Sequence, residues 1–252
     1  MSRIILVLLA LASMEIVYAQ VAENMQKGDE SYAAFDNAAA LKYYQAAVTA
    51  DSTACEALWK LARAYVDVGE VSEEKVRESY YLQAEKYSRK AVAVCPTAAD
   101  AHLELAVAVG RVALMSGPKK KVNLSKLVKE EAEKALELNP NHDIAHHVLA
   151  RWHREVTHLS GFAKTFAKIL YGGLPPASDE KALEHFKKAV AIDPDYINHH
   201  LELGITYQMM DNWLDAKAEY EKIAGLPIKD SQDSDHKQEA VKRLQEVLKK
   251  IK

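Results

Sequence analysis

INHHLELGITYQMMDNWLDAKAEYEKIAGLP runs from Ile197 to Pro227. Leu203, Gly204 and Tyr207 fall at helical spacing, and Ala216 and Tyr220 follow in a second helical run. Gly204 puts a small residue where two helices must approach closely, so the stretch reads as a helical hairpin. The same register recurs upstream. Lys27-Gly28, Leu61-Ala62, Leu105-Ala106 and Leu149-Ala150 supply the small position of four more first helices, with Ser31, Tyr65, Val109 and His153 three residues on. The second helices reach Ala47, Ala91, Ala135, Ala189 and Ile223, and Ser52, Pro96, Pro140 and Pro194 follow the first four as helix stops. By subtraction the steps are 44, 44, 54 and 34 residues. Five units in one register make an internal repeat, in which each unit buries its apolar face on its neighbour.

A Leu-Gly pair, then an aromatic, an Ala, an aromatic and a Pro within about 34 residues resembles the tetratricopeptide (TPR) pattern. That resemblance implies an all-α fold, a right-handed α-solenoid of helical hairpins, with units two to four lengthened. The expected layout is a signal peptide over 1–19, five repeats over 20–228 (21–54, 55–98, 99–142, 143–196 and 197–228), and a linker with a capping helix over 229–252. Ser116 to Lys121 reads as an exposed basic turn. The insertion Thr157 to Ser178 reads as a short accessory helix carrying Phe162 and Phe166, opened by Ser160 and closed at Gly172-Gly173. Lys229 to Asp235 reads as a polar linker, and Val241, Leu244, Val247 and Leu248 mark the capping helix.

The 252 residues are 49% hydrophobic and 27% charged, with nine glycines and seven prolines, which excludes long disorder and collagen-like sequence. A net charge of −3 supplies no basic field, which argues against nucleic acid as a partner. Arg3, the apolar run Ile4 to Ala12 and the small residues of Val17-Tyr18-Ala19 read as a secretion signal cut between Ala19 and Gln20. The alternative, an uncleaved anchor, meets a run well short of the roughly 20 residues that span a bilayer. The expectation is an exported protein, periplasmic or extracellular, not integral to a membrane once cut. Cys55 and Cys95 fall at the same end of one hairpin, as either a disulfide or two buried thiols.

From His146 to Pro227 the chain holds His147-Val148-Leu149-Ala150-Arg151-Trp152, Leu159-Ser160, Leu170-Tyr171-Gly172-Gly173-Leu174-Pro175 and Ala182-Leu183-Glu184-His185-Phe186-Lys187-Lys188-Ala189. This resembles the regulator of microtubule dynamics family, here in a bacterial-type, exported form. In that family an aromatic usually follows the Leu-Ser pair, where this chain has Gly161. Eukaryotic members are described as microtubule-associated, or as organelle tethers with a lipid-binding repeat domain. For this chain the resemblance implies the repeat fold and a binding groove.

Helical spacing divides the first helix of repeat four into a packed face (Ala145, Val148, Leu149, Trp152, Val156, Leu159) and a basic face (His147, Arg151, Arg154, His158). In TPR arrays the equivalent faces line the concave groove. The same offset gives Trp59 and Arg63 in repeat two, Leu103 and Val107 in repeat three, and Leu201, Ile205 and Gln208 in repeat five. The expectation is an apolar trough whose arginines grip a carboxylate or phosphate, against the alternative that Glu56, Glu104 and Glu155 neutralise them. His142 and His146 stand one turn apart, yet they and His199-His200 read as packing histidines rather than metal ligands. HExxH, GxSxG, P-loop and GxGxxG patterns are absent. The expected function is non-catalytic and needs no cofactor: the groove binds a protein or peptide, with acidic segments among the candidates. Two alternatives stand beside it, a lipid or other anionic ligand in the same groove and self-association through the Phe162/Phe166 helix.

Overall fold

The computed structural model describes residues 2–251, with the side chains of residues 14–170 and 172–251. Twelve α-helices and no strand occur among the described residues, so the fold is all-α. The apolar run Ile4 to Ala12 lies outside the described side chains. The chain forms two compact units, residues 1–115 and 116–252.

The first unit comprises α1 (Ser2–Ala33), α2 (Asn37–Ala50), α3 (Cys55–Val71), α4 (Glu74–Val94) and α5 (Ala99–Leu114). Each helix packs on the next, and α5 also touches α3. Tyr44, Leu58 and Leu61 are fully buried among alanines at 40, 47, 57, 64, 91 and 101. A disulfide joins Cys55, the first residue of α3, to Cys95, the C-cap of α4, with the Cα atoms 6.1 Å apart. Of the two readings left open for this pair, the bridge is the one the structure contains.

The second unit comprises α6 (Pro118–Leu138), α7 (Asp143–Thr157), α8 (Gly161–Tyr171), α9 (Asp179–Ile192), α10 (Ile197–Met209), α11 (Trp213–Ile223) and α12 (Asp233–Lys250). Helix α7 packs against α6, α9 and α10; α11 and α12 close over α10; α8 leans on α6. Phe186, Ile197, Ile223 and Val247 are fully buried at the centre.

One steric device closes a hairpin in each unit. A Cβ added at Gly28 would stand 2.4 Å from Tyr44 Cε1, and one at Gly204 would stand 2.5 Å from Tyr220 Cε1. Each tyrosine ring therefore lies flush on a helix backbone, which only glycine permits. Each hairpin turns through a left-handed residue, Phe35 (φ 61°) or Asp211 (φ 58°), seven residues after the glycine and nine before the tyrosine. Both hydroxyls are satisfied, Tyr44 donating to Asp29 Oδ1 at 2.7 Å and Tyr220 to Gln208 Oε1 at 2.8 Å.

A second device marks where one repeat hands over to the next. His102, His146 and His200 each stand six residues after a proline, and each Nε2–H donates to that proline's carbonyl, at 2.9, 3.0 and 2.9 Å. The carbonyl only accepts, so Nε2 carries a proton in each of these rings.

Two local expectations need correction. Lys119 to Lys121 belong to the first turn of α6 rather than to a loop, because Pro118 has no N–H to lose and its preset φ suits the first helical position. Helix α12 begins at Asp233, inside the expected linker. The carboxylate of Asp233 is buried and accepts the backbone N–H groups of Lys229 and Asp230, each at 2.8 Å, which fixes the approach to the helix.

Gly204→Ala is expected to destabilise the second unit by about 1–3 kcal/mol, because the buried Tyr220 ring has nowhere to move and the overpacking outweighs the gain in helix propensity. Tyr220→Phe leaves the ring in place and should cost less, about 1 kcal/mol for the hydrogen bond; urea unfolding of both variants checks the order. A pH response follows from the α7–α9 seam. His146 Nε2 holds its proton for Pro140, so its Nδ1 accepts from His185 Nδ1 at 2.9 Å, and His153 stacks on His185. Burial, then the neighbouring His146 and His153, push His185 down to about 4, and burial also lowers His146 and His153. The unfolded chain thus takes up protons first as the pH falls below roughly 6.5. Stability is full above that value and is lost towards pH 4. Thermal melts over this window should show a falling midpoint, with a shallower fall in His185→Gln.

Candidate functional site

In the first unit, α1 and α3 bring Tyr32, Trp59, Lys60 and Arg63 together. The two neighbouring cations have different surroundings. Lys60 is held by Asp29, at 2.7 and 2.8 Å to its two oxygens, and by Glu56 at 2.7 Å. Burial pushes the Asp29 carboxyl up, but Lys60 and the Tyr44 hydroxyl outweigh it and hold it below the usual carboxylate range. Lys60 is thereby neutralised inside the helix packing. Arg63 instead lies over the Tyr32 ring at 4.0 Å and beside Trp59 at 5.4 Å. Its Nε makes no hydrogen bond, while Glu104 and Asp67 lend it negative charge. Arg63 and Trp59 are both half-buried. A planar guanidinium resting on an aromatic face is held in orientation at little entropic cost, as bidentate recognition of a carboxylate requires.

The second unit arranges its cations differently. Helix α7 has packed neighbours on several sides, so its polar face is covered too. Arg154 is 3% exposed, and its guanidinium binds the Glu202 carboxylate, the Glu202 carbonyl at 3.1 Å and Thr206 Oγ1 at 3.2 Å. Burial drives the Glu202 carboxyl up, but Arg151 and Arg154 overcome it and leave it lowered. His147 is also interior. His199 Nε2 donates to Asp143 Oδ2 at 3.1 Å, so in the neutral ring its Nδ1 accepts from His147 Nδ1 at 2.9 Å. Burial and the neighbouring His199 hold His147 well below the ordinary histidine range.

The structure therefore divides the groove residues expected from sequence. His147, Arg154 and Leu201 are interior groups that join α7 to α10, which corrects their reading as groove lining. Gln208 is half-buried and engaged by Tyr220. His158, at the C-terminal end of α7, is tied to Asp179 at 3.0 Å. Trp59, Arg63, Arg151 and Ile205 keep partial solvent access; Arg151 lies 3.7 Å from Glu202 with its side chain 38% exposed. Sequence reasoning missed Asp29, Tyr32, Lys60, Asp143 and Glu202. One signal for Glu202 was available: an acid set between Leu201 and Leu203 in an apolar run implies an internal cation. Among the described residues no three His, Cys, Asp or Glu side chains converge as a metal site, and no helix is long and apolar enough to cross a membrane.

Comparison with known proteins agrees with this architecture. A thermophilic TPR protein of Thermus thermophilus superposes with a TM-score of 0.67 over 88% of this chain and 98% of its own, at 18% identity. Regulator of microtubule dynamics protein 1 from Bos taurus is 31% identical over 179 residues, 68% of this chain and 56% of that protein. Its counterpart from Mus musculus is 30% identical over 192 residues, 75% and 63% respectively. The chain thus spans less than two thirds of the length of either relative. Residues 21–251 match the model of regulator of microtubule dynamics protein 1-3, and the chain belongs to that family.

Proposed function

We propose that the protein is a non-catalytic scaffold that binds an acidic peptide segment of another protein, with Arg63 as its anchoring cation. The observation that carries this reading is the partly exposed Arg63 guanidinium lying over the Tyr32 ring and beside Trp59. Tryptophan, tyrosine and arginine are the residue types enriched at binding hot spots. Repeat arrays of this kind present such groups from rigid helices, so little ordering cost is paid on binding. Arg154 takes no part, because it already serves Glu202 within the packing.

The protein is also proposed to be exported, with the N-terminal segment removed between Ala19 and Gln20, so that Gln20 to Ala33 remains as the first helix. The Cys55–Cys95 bridge supports this, since disulfides persist in oxidising compartments and are rare in reducing ones.

Crosslinking capture from the native exported fraction tests the first proposal. Arg63→Glu is expected to lose partners that the parent retains, and Arg63→Lys to recover them only in part, because it keeps the charge but not the planar fork. Identical partner sets from parent and Arg63→Glu would move binding away from this site. For the second proposal, alkylation and mass measurement of protein from its native compartment should find Cys55 and Cys95 unreactive until reduced. Reduction should cost the first unit about 4 kcal/mol, the loop-closure value for a separation of 40 residues. Two freely alkylating thiols in native material would count against export.

A further inference from the structure

Helix α8 has a face that the fold does not use. Ala167 is its buried residue and Ala163 is half-buried, so the helix meets α6 through small side chains one turn apart. Phe162 is 81% exposed, Ile169 74% and Leu170 53%. On a helical wheel these three fall within one third of the circumference, and Lys164 and Lys168 lie on the opposite side. Phe162 stacks on Phe166 at 6.1 Å, which makes the apolar face continuous along the helix.

The segment that carries this face holds charge of one sign. From Gly161 to Ser178 the charged side chains are Lys164 and Lys168, and the first carboxylate beyond is Asp179. Lys126 Nζ lies 3.9 Å from where a Cβ on Gly172 would stand. The C-terminal end of α8 therefore sits against the half of α6 that also carries the exposed Lys119, Lys120 and Lys121, in a stretch, 118–129, with no acid. The insertion departs locally from a chain whose net charge is −3.

We propose that α8 docks the second unit onto an anionic membrane surface. Its apolar face enters the boundary between headgroups and acyl chains, and the lysines of α8 and α6 meet the lipid phosphates. The helix has 11 residues, about 16 Å, which is far too short to cross a bilayer but suffices to lie in its surface. A second copy of the chain is a poorer occupant, because the insertion carries no carboxylate to meet these lysines, whereas an anionic surface supplies phosphates. This surface is separate from the Arg63 site, so either proposal can fail alone.

The test is co-sedimentation of the full chain with vesicles of phosphatidylcholine alone and of phosphatidylcholine with phosphatidylglycerol. Partitioning onto the anionic vesicles should be at least about tenfold stronger and should fall as salt is raised. The double variant Phe162→Ser, Ile169→Ser should lose about tenfold of that binding, and its helicity should be unchanged because both side chains point into solvent. The triple variant Lys119→Gln, Lys120→Gln, Lys121→Gln should lose the preference for anionic vesicles while leaving weak binding to neutral ones. Every protein in the series carries the same N-terminal apolar run, so any binding through that run is common to all. Equal sedimentation of parent and double variant would overturn the proposal, as would absence of binding to anionic vesicles. Concentration-dependent dimerisation abolished by the double variant, without vesicle binding, would overturn it in favour of a second copy.

Discussion

A tyrosine ring lying on a glycine backbone sets the geometry from which the rest follows. At 2.4–2.5 Å from a hypothetical Cβ, the Gly28–Tyr44 and Gly204–Tyr220 contacts leave no room for any other residue at the glycine. The ring fixes how near the two helices run, and the left-handed turn residue fixes where the chain reverses. Together they specify a hairpin of one size. Once two such hairpins exist, the apolar stripes of their first helices must bury against a neighbour, and stacking is the available solution. The middle repeats carry Ala62, Ala106 and Ala150 at this position, and their arms are longer or interrupted by α8. In the α3–α4 hairpin the close glycine–tyrosine approach moves to Gly69, where a Cβ would stand 2.8 Å from Tyr81 Cε1.

The fold was legible in the sequence because its determinants are local and repeat. The Leu-Gly and Leu-Ala pairs, the second-helix aromatics and the prolines each report a backbone requirement at a fixed offset. The prolines carry more than a stop signal. Their carbonyls are taken up by His102, His146 and His200 from the next first helix. That link ties the end of one repeat to the start of the next through a polar group that would otherwise be stranded. The same spacing between proline and histidine is visible three times in the sequence, and it explains why histidines concentrate at these junctions without any metal chemistry.

The site was only partly legible, and the reason is physical. Helical periodicity sorts side chains by face but does not say what covers each face. On α7, His147, Arg151 and Arg154 do share one face, as spacing indicates, yet α10 lies against it. The cations there are matched by Glu202 and Thr206, which are about fifty residues away in sequence. An isolated polar stripe looks the same whether water or a complementary stripe faces it. The first unit differs in this respect. Arg63 has aromatic neighbours on α1 and α3 and keeps partial exposure, so its face is not closed by a dedicated counter-ion of the Glu202 kind.

The two arginines also show why burial must be weighed before charge. Removing Arg154 would leave the buried Glu202 carboxylate with only the longer contact to Arg151, at a cost on the order of 3–5 kcal/mol for a broken buried pair. A loss of partner binding in such a variant would report unfolding rather than recognition. Arg63 carries a lighter obligation: it lies on the faces of Tyr32 and Trp59, and although Glu104 and Asp67 lend it negative charge, no carboxylate is held by it as Glu202 is by Arg154. Of the two positions, Arg63 is therefore the one where a change in ligand affinity can be separated from a change in fold. The same reasoning favours Phe162 and Ile169 on α8, which are large, apolar and turned to solvent, and whose removal leaves no buried group unsatisfied. Residues whose loss leaves the packing intact are the ones whose chemistry is available to a partner.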